Sequence, residues 1–480
     1  MAVILTRTIT QTEFGTYRQV IMVFSLVTSM LSLSIPQSMY YFLPKAEPSQ
    51  RRGILVNAAA ALFASALVCV SLLWFGAGFL ANYVAKDSAL AQLLQLYGFA
   101  AIGHLPMLLV APALISQERV ILAGVFTISE ALLRTGTVVT FFALGYPTRV
   151  VLVAAAVVSL AVGIAGLLLL FGSTARGPLV VSSRVITEQL KYALPLAAAG
   201  MTGIVAQHID KWIIMAFFTS AQFAVYSVGA MQVPIIPLVV TSVTQAMMPT
   251  IVRLGEQQQL EKALAIWHEG IRKCALILFP AFIFLLLTSR DIIVFLFQRE
   301  YVAAVGPFVV YLVMLPLQVA VYGAVLRATG HTRPILIGAI VSLGINIVMS
   351  ISLILFFQDT PVAFIAPALA TVIAKGCTIG YLLFQICRVT GMPIRSVFPW
   401  SDTARIMLSA ALCGLIAAPI HLIDLPEIGR IALVLVLYAP VFMVFVWFRG
   451  ILRRDEKELV KSVLRRGSAL LSGESARRSL

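Results

Sequence analysis

At 60% hydrophobic and 11% charged residues, with mean hydropathy +0.98, a chain of 480 residues cannot fold as an ordinary soluble protein. Its net charge of +15 would point to nucleic acid in a soluble domain, but the positive residues lie mostly in loops and a tail around long apolar runs. A soluble enzyme and a nucleic-acid binder are both excluded, and the chain belongs in a bilayer.

A helical span needs roughly 20 apolar residues, and runs of this length without period-two alternation are helices rather than barrel strands. The pattern predicts an all-α polytopic membrane protein with about 13 visible spans. They run from Tyr17 to Phe42, Ile54 to Tyr83, Leu93 to Ile115, Val120 to Leu144 and Val150 to Phe171. Further spans follow at Tyr192 to Phe218, Phe223 to Met247, Ile271 to Thr288 and Ala303 to Leu326. The series closes with Ile335 to Phe357, Val362 to Ile386, Ala404 to Ile423 and Ile428 to Phe448. Loops between them are too short for a folded domain of about 50 residues, so no soluble catalytic domain is expected between spans.

The chain repeats itself. Thr10 to Met22 aligns with Thr219 to Met231, matching Phe14 to Phe223, Tyr17 to Tyr226 and Met22 to Met231. Tyr83-Val84 matches Tyr301-Val302, and Arg119 to Leu122 matches Arg333 to Leu336, in the same order. Duplication of a membrane domain is the mark of transporters that rock one half against the other around a midplane site. In this register Met1 falls opposite Asp210, so the helix from Tyr192 to Asp210 has no partner in the first half. The expectation is that most of a first helix is missing and that the native chain begins about 20 residues upstream, the length of one span. Peptide mapping of the endogenous protein would find those residues.

Lys and Arg set the orientation. One side holds Lys45, Arg51, Arg52, Arg119, Arg176, Arg184, Lys191 and their counterparts in later alternate loops, and the basic tail after Phe448. The other has Arg7, Arg18, Lys86, Arg149 and Arg299. The first side is therefore expected to be cytoplasmic, C-terminus included. The tail could lie as an amphipathic helix on the anionic leaflet or stay solvated.

Charges inside spans carry the functional argument, because each costs about 2.5 to 3.5 kcal/mol to insert at a helix centre. Glu130 and Arg134 are four apart and share a helix face; they either neutralise each other or form an anion contact tuned by the glutamate. Asp210 and Lys211 are adjacent and point about 100° apart, so they do not simply pair, although interfacial anchoring would also place them near a helix end. Lys375 lies deep in its span with no acid nearby in sequence. It reads as a cavity cation, with snorkelling as the alternative. Arg18 opens its span as either an interfacial anchor or a gate. Pro234 and Pro237 would let their helix bend. Cys69, Cys274, Cys377, Cys387 and Cys413 read as packing residues, and no P-loop, zinc motif or other cofactor or metal signature occurs.

The chain resembles polysaccharide flippases of the multidrug/oligosaccharidyl-lipid/polysaccharide exporter superfamily. The resemblance rests on TEFGTYRQV from Thr12 and its echo AQFAVYSVG from Ala221, on LPLAAAGMTGIVAQHIDKWII from Leu194, on REYVAAVGPFVVYLV from Arg299, and on the stretch from Leu326 to Leu355. It implies fourteen helices, in two six-helix bundles plus a terminal pair. The chain would divide into an N-terminal bundle over 1–172, a cytoplasmic linker over 173–191 and a second bundle over 192–388. An extra helix pair over 404–448 and a basic cytoplasmic tail over 449–480 complete it. One departure is Ala224, which stands where the first copy has Gly15.

The function this implies is export rather than catalysis: a polyprenyl-pyrophosphate-linked oligosaccharide flipped across the bacterial inner membrane by alternating access, in partnership with membrane lipids and with polysaccharide polymerase and export machinery. Arg134, Lys211, Lys375 and Arg18 would contact the substrate, and Asp210 or Glu130 would carry a coupling ion. A cation-coupled drug exporter of the same superfamily is the nearest rival, and expects acidic and aromatic cavity residues. An integral membrane enzyme of glycan assembly expects a large outer loop.

Overall fold

The computed structural model describes residues 1–85, 87–177, 179–231, 233, 235–331, 333–358, 360–453 and 456–458. Among them there are helices and no strands. Among the described residues eleven helices are long and apolar enough to cross a membrane, and the pair Ala89–Gly98 and Ala101–Ser116, bent by 50°, is long and apolar enough for a twelfth if it forms one span. The continuous helix Ser183–Phe217, at 35 residues, also exceeds the bilayer core at about 1.5 Å rise per residue. The protein is a polytopic all-α membrane protein.

Other runs that read as single spans are also broken. Phe223 to Met247 divides between Ser220–Gly229 and Ile235–Glu256. Pro237 is the third residue of the second helix, where a backbone N–H has no intrahelical partner to lose; Pro234 lies outside the described residues. The stretch after Arg299 is a 3-10 turn, Arg299–Ala304, followed by short helices Val305–Leu312, Met314–Leu317 and Ala324–Ala328. Residues 459–480, which include most of the basic tail, lie outside the described residues.

The chain forms two compact units. The first comprises Met1–Met231, Leu296–Pro307 and Ala339–Ala374. In it the two copies of the repeat, the helices Gln11–Leu31 and Ser220–Gly229, pack directly against each other. Each copy starts with the same capping box. The Thr10 hydroxyl accepts from the Glu13 backbone N–H while Glu13 accepts from the Thr10 N–H, and Thr219 and Gln222 do the same. Phe14, Tyr17, Phe223 and Tyr226 are all buried. Ala101–Met107 and Thr148–Ser173 also approach closely, because Gly103 and Gly163 face each other and a Cβ on Gly163 would lie 2.5 Å from the Gly103 carbonyl oxygen. Small residues of this kind allow backbones to close in a membrane, where no hydrophobic force draws helices together.

The second unit comprises Gln232–Phe295, Phe308–Gly338 and Lys375–Leu480. Its centre is Trp267, 1% exposed and edge-on to Tyr322 and Phe398, with His268 Nε2 2.7 Å from the Val397 carbonyl oxygen. The helices Trp400–Ala417 and Glu427–Phe448 form a pair, and Leu260–Leu287 packs on the first of them. Buried Asp291 accepts from Arg430 Nη1 at 2.8 Å, and His421 Nδ1 lies 3.6 Å from the same carboxylate.

Candidate functional site

In the first unit, charges on three helices converge through aromatic and imidazole side chains. The Val120–Ala143 helix turns Ile128, Leu132 and Leu133 outward, while the Glu130 side chain is only 13% exposed. Arg134 Nε sits 3.2 Å from Glu130 Oε1, closing the i, i+4 pair that the spacing predicts. The Arg134 charge acts on Tyr17, Tyr97 and His104. Phe24 packs among them with tilted rings, its ring centroid 4.7 Å from Tyr97 and 5.6 Å from His104. The ion pair therefore lies near an aromatic wall, with the Arg134 side chain 43% exposed.

Arg18 is half-buried on the Gln11–Leu31 helix, beside buried Tyr17, whose ring meets Phe142 edge-on at 5.6 Å. It links the two groups of charges: it acts on Tyr17, as Arg134 does, and on His208, as do Lys211 and Asp210. Asp210 is 4% exposed and accepts from the Tyr226 hydroxyl at 3.2 Å. Lys211 is half-buried. Among the described residues neither Arg18 nor Lys211 has a carboxylate within ion-pair distance. Arg18, Glu130, Arg134, Asp210 and Lys211 thus all belong to the first unit. Lys375 belongs to the second unit; it is half-buried on Val362–Thr390 and also lacks a carboxylate partner among the described residues.

Sequence reasoning missed two members of this region. Tyr226 was visible as the counterpart of Tyr17 but not as the donor to Asp210, which is 16 residues away across a turn. Asp87 was not singled out. Its carboxylate accepts from the Thr16 hydroxyl at 3.0 Å and the Ser220 hydroxyl at 2.8 Å, joining both repeat copies, and its other oxygen caps Ser88–Gly98 through the Ala89 N–H. An Asp directly before an apolar helical run was the available signal. Among the described residues no group of three His, Cys, Asp or Glu side chains is placed to hold a metal.

The sequence profile described as polysaccharide biosynthesis protein matches residues 1–255, more than half of the chain. The chain belongs to this family. No curated protein matches it in sequence. Among solved structures, this chain is similar to the lipid II flippase MurJ in an inward closed conformation, with TM-score 0.73 and 15% identity over 94% of this chain and 96% of that one. It is also similar to an inward-facing multidrug resistance MATE transporter of the MOP superfamily, with TM-score 0.60 and 13% identity over 82% and 94% of the two chains. A MOP superfamily transporter from Pyrococcus furiosus matches with TM-score 0.54 and 12% identity, over 81% of this chain and 90% of the other. At these identities the likeness establishes the fold, which is that of MOP superfamily flippases and transporters.

Proposed function

We propose that this protein moves a polyprenyl-pyrophosphate-linked oligosaccharide from the cytoplasmic to the outer leaflet of a bacterial inner membrane by alternating access, for surface polysaccharide export. One observation carries the reading: Arg18, Arg134 and Lys211 gather within one unit of a polysaccharide biosynthesis family protein, two of them without a carboxylate partner among the described residues. A pyrophosphate headgroup cannot enter hydrocarbon unaided. Guanidinium and ammonium groups held half-buried offer it charge-assisted hydrogen bonds while the polyprenyl tail stays in lipid. The second unit holds a further half-buried cation, Lys375.

Glu130 and Asp210 are the candidate carriers of a coupling proton or sodium ion. Each already holds a partner that a bound ion would displace: Arg134 for Glu130, the Tyr226 hydroxyl for Asp210. Neutralising Glu130 would free Arg134 for phosphate, which couples ion entry to substrate binding. The Lys and Arg bias of the loops and tail favours a cytoplasmic C-terminus, where polymerase and export machinery would meet the protein.

The deciding experiment reconstitutes the protein in liposomes and follows a labelled polyprenyl-pyrophosphate oligosaccharide across the membrane. Translocation that depends on protein and on an ion gradient is expected. Failure to move the lipid, together with efflux of a cationic drug, would overturn the assignment in favour of a multidrug exporter.

A further inference from the structure

A cavity of about 590 Å³ in the second unit is lined by Arg272, Asp402, Arg405, Arg449 and Arg453, so that four guanidinium groups face one lining carboxylate. Arg272 is the buried member, 3% exposed. It donates through Nη1 to the Ile451 carbonyl at 3.1 Å and pairs with Glu456, but its Nε–H has no hydrogen-bond partner among the described residues. Arg453 lies 4.0 Å from Glu269, a carboxylate that Lys273 already holds at 2.7 Å. Arg405 and Arg449 are exposed and have no carboxylate within ion-pair distance among the described residues. The N-terminal part of Trp400–Ala417 also borders the cavity, through Asp402 and Arg405. A surplus of planar N–H donors around a buried, incompletely satisfied arginine is a phosphate-binding arrangement.

Phe445 and Arg449 line a second space as well. This is an apolar groove of about 610 Å³ that continues along the Glu427–Phe448 helix past Phe448, Val444 and Pro440. The Arg449 guanidinium lies over the Phe445 ring at 5.3 Å and so marks the junction between the charged and apolar spaces. Val444 and Phe448 are 54% and 83% exposed, on a helix long and apolar enough to cross a membrane. A soluble anion would use only the first space, whereas a phospholipid fills both.

We propose that these two spaces form one binding site for an anionic glycerophospholipid, with the headgroup phosphate among Arg272, Arg405 and Arg449 and an acyl chain along the groove from Phe445 toward Pro440. The site is separate from the charges proposed to receive the transported substrate, and its test does not depend on transport.

The full-length protein in a zwitterionic detergent is offered equimolar phosphatidylglycerol and phosphatidylcholine, and retained lipid is counted by native mass spectrometry. Wild type is expected to keep one phosphatidylglycerol with a preference of about tenfold, on the strength of a few arginine–phosphate contacts. Arg405→Gln with Arg449→Gln, both exposed positions, removes that preference while leaving the melting temperature unchanged. Arg176→Gln with Arg184→Gln, an equal loss of charge on an exposed segment of the other unit, preserves it. Equal retention of both lipids by wild type, or equal loss of preference in the two double variants, overturns the site. Displacement of the lipid by glycerol phosphate or by inorganic phosphate alone overturns the phospholipid assignment, as does tighter retention of a polyprenyl phosphate.

Discussion

Gly15 faces the backbone carbonyl of Ser220 with no room for a side chain between them. The contact lies where the two copies of the repeat meet, and it explains why they differ at this position. A Cβ at Gly15 would strike the Ser220 carbonyl and reach to 3.4 Å from the Cβ of Ala224, so the interface has space for a methyl on one copy only. Gly15→Ala is expected to destabilise the protein by about 1 to 3 kcal/mol, because the obstructing atom is backbone and cannot swing aside. Ala224→Gly should cost about 1 kcal/mol from helix propensity. Thermal unfolding in detergent separates the two, and an equal effect of both would contradict the interlocked geometry.

Asp87 ties the same two helices through the hydroxyls of Thr16 and Ser220 and caps a third. Asp87→Ala is expected to cost about 1 to 3 kcal/mol, since it removes a cap and strips two part-buried hydroxyls of their acceptor. Asp87→Asn, which keeps an acceptor oxygen, should recover part of the loss in the same melting experiment.

In the second unit Asp291 is held by Arg430 at 2.8 Å with the carboxylate side chain 5% exposed. Arg430→Gln leaves a buried carboxylate without its charge partner and is expected to cost about 3 kcal/mol. Adding Asp291→Asn removes the orphaned charge and should restore much of the stability. A double variant as unstable as the single one would show that the pair does not act as a unit.

For transport, Arg18→Gln, Arg134→Gln, Lys211→Gln and Lys375→Gln are each expected to slow translocation of the lipid-linked oligosaccharide by about tenfold, the loss of one charge-assisted contact. Glu130→Gln should instead uncouple transport from the ion gradient while the headgroup still binds. Rates in proteoliposomes, with and without a gradient, read both effects. Unchanged rates in the combined cation variant would remove these residues from the substrate path.

Much of the architecture was legible because hydrophobic length and repetition are local signals. The helix start at Val120 and the Glu130–Arg134 pair follow from spacing along one helix. What the sequence could not show depends on neighbours distant in the chain. Tyr83 and Tyr301 match in the repeat, yet one is 75% exposed and the other 1%, because Tyr301 packs on Phe14 and Phe297. The convergence of Arg18 with Arg134 and with His208 likewise joins helices more than a hundred residues apart. The break after Gly229 was hidden because apolar composition continues across it.

The meeting of Gly103 with Gly163 bears on how the first unit can move. Backbones that touch without intervening side chains have no slack for shear: sliding one helix along the other would drive Ser159 and Leu160 into the opposing main chain. These helices must travel together, like a bolted joint. The same unit contains Leu33 and Ser34, two consecutive non-glycine residues with φ of 49° and 52°, between the helices Gln11–Leu31 and Ile35–Lys45. Hinge bending at that strained elbow would swing one segment while the glycine joint stays shut.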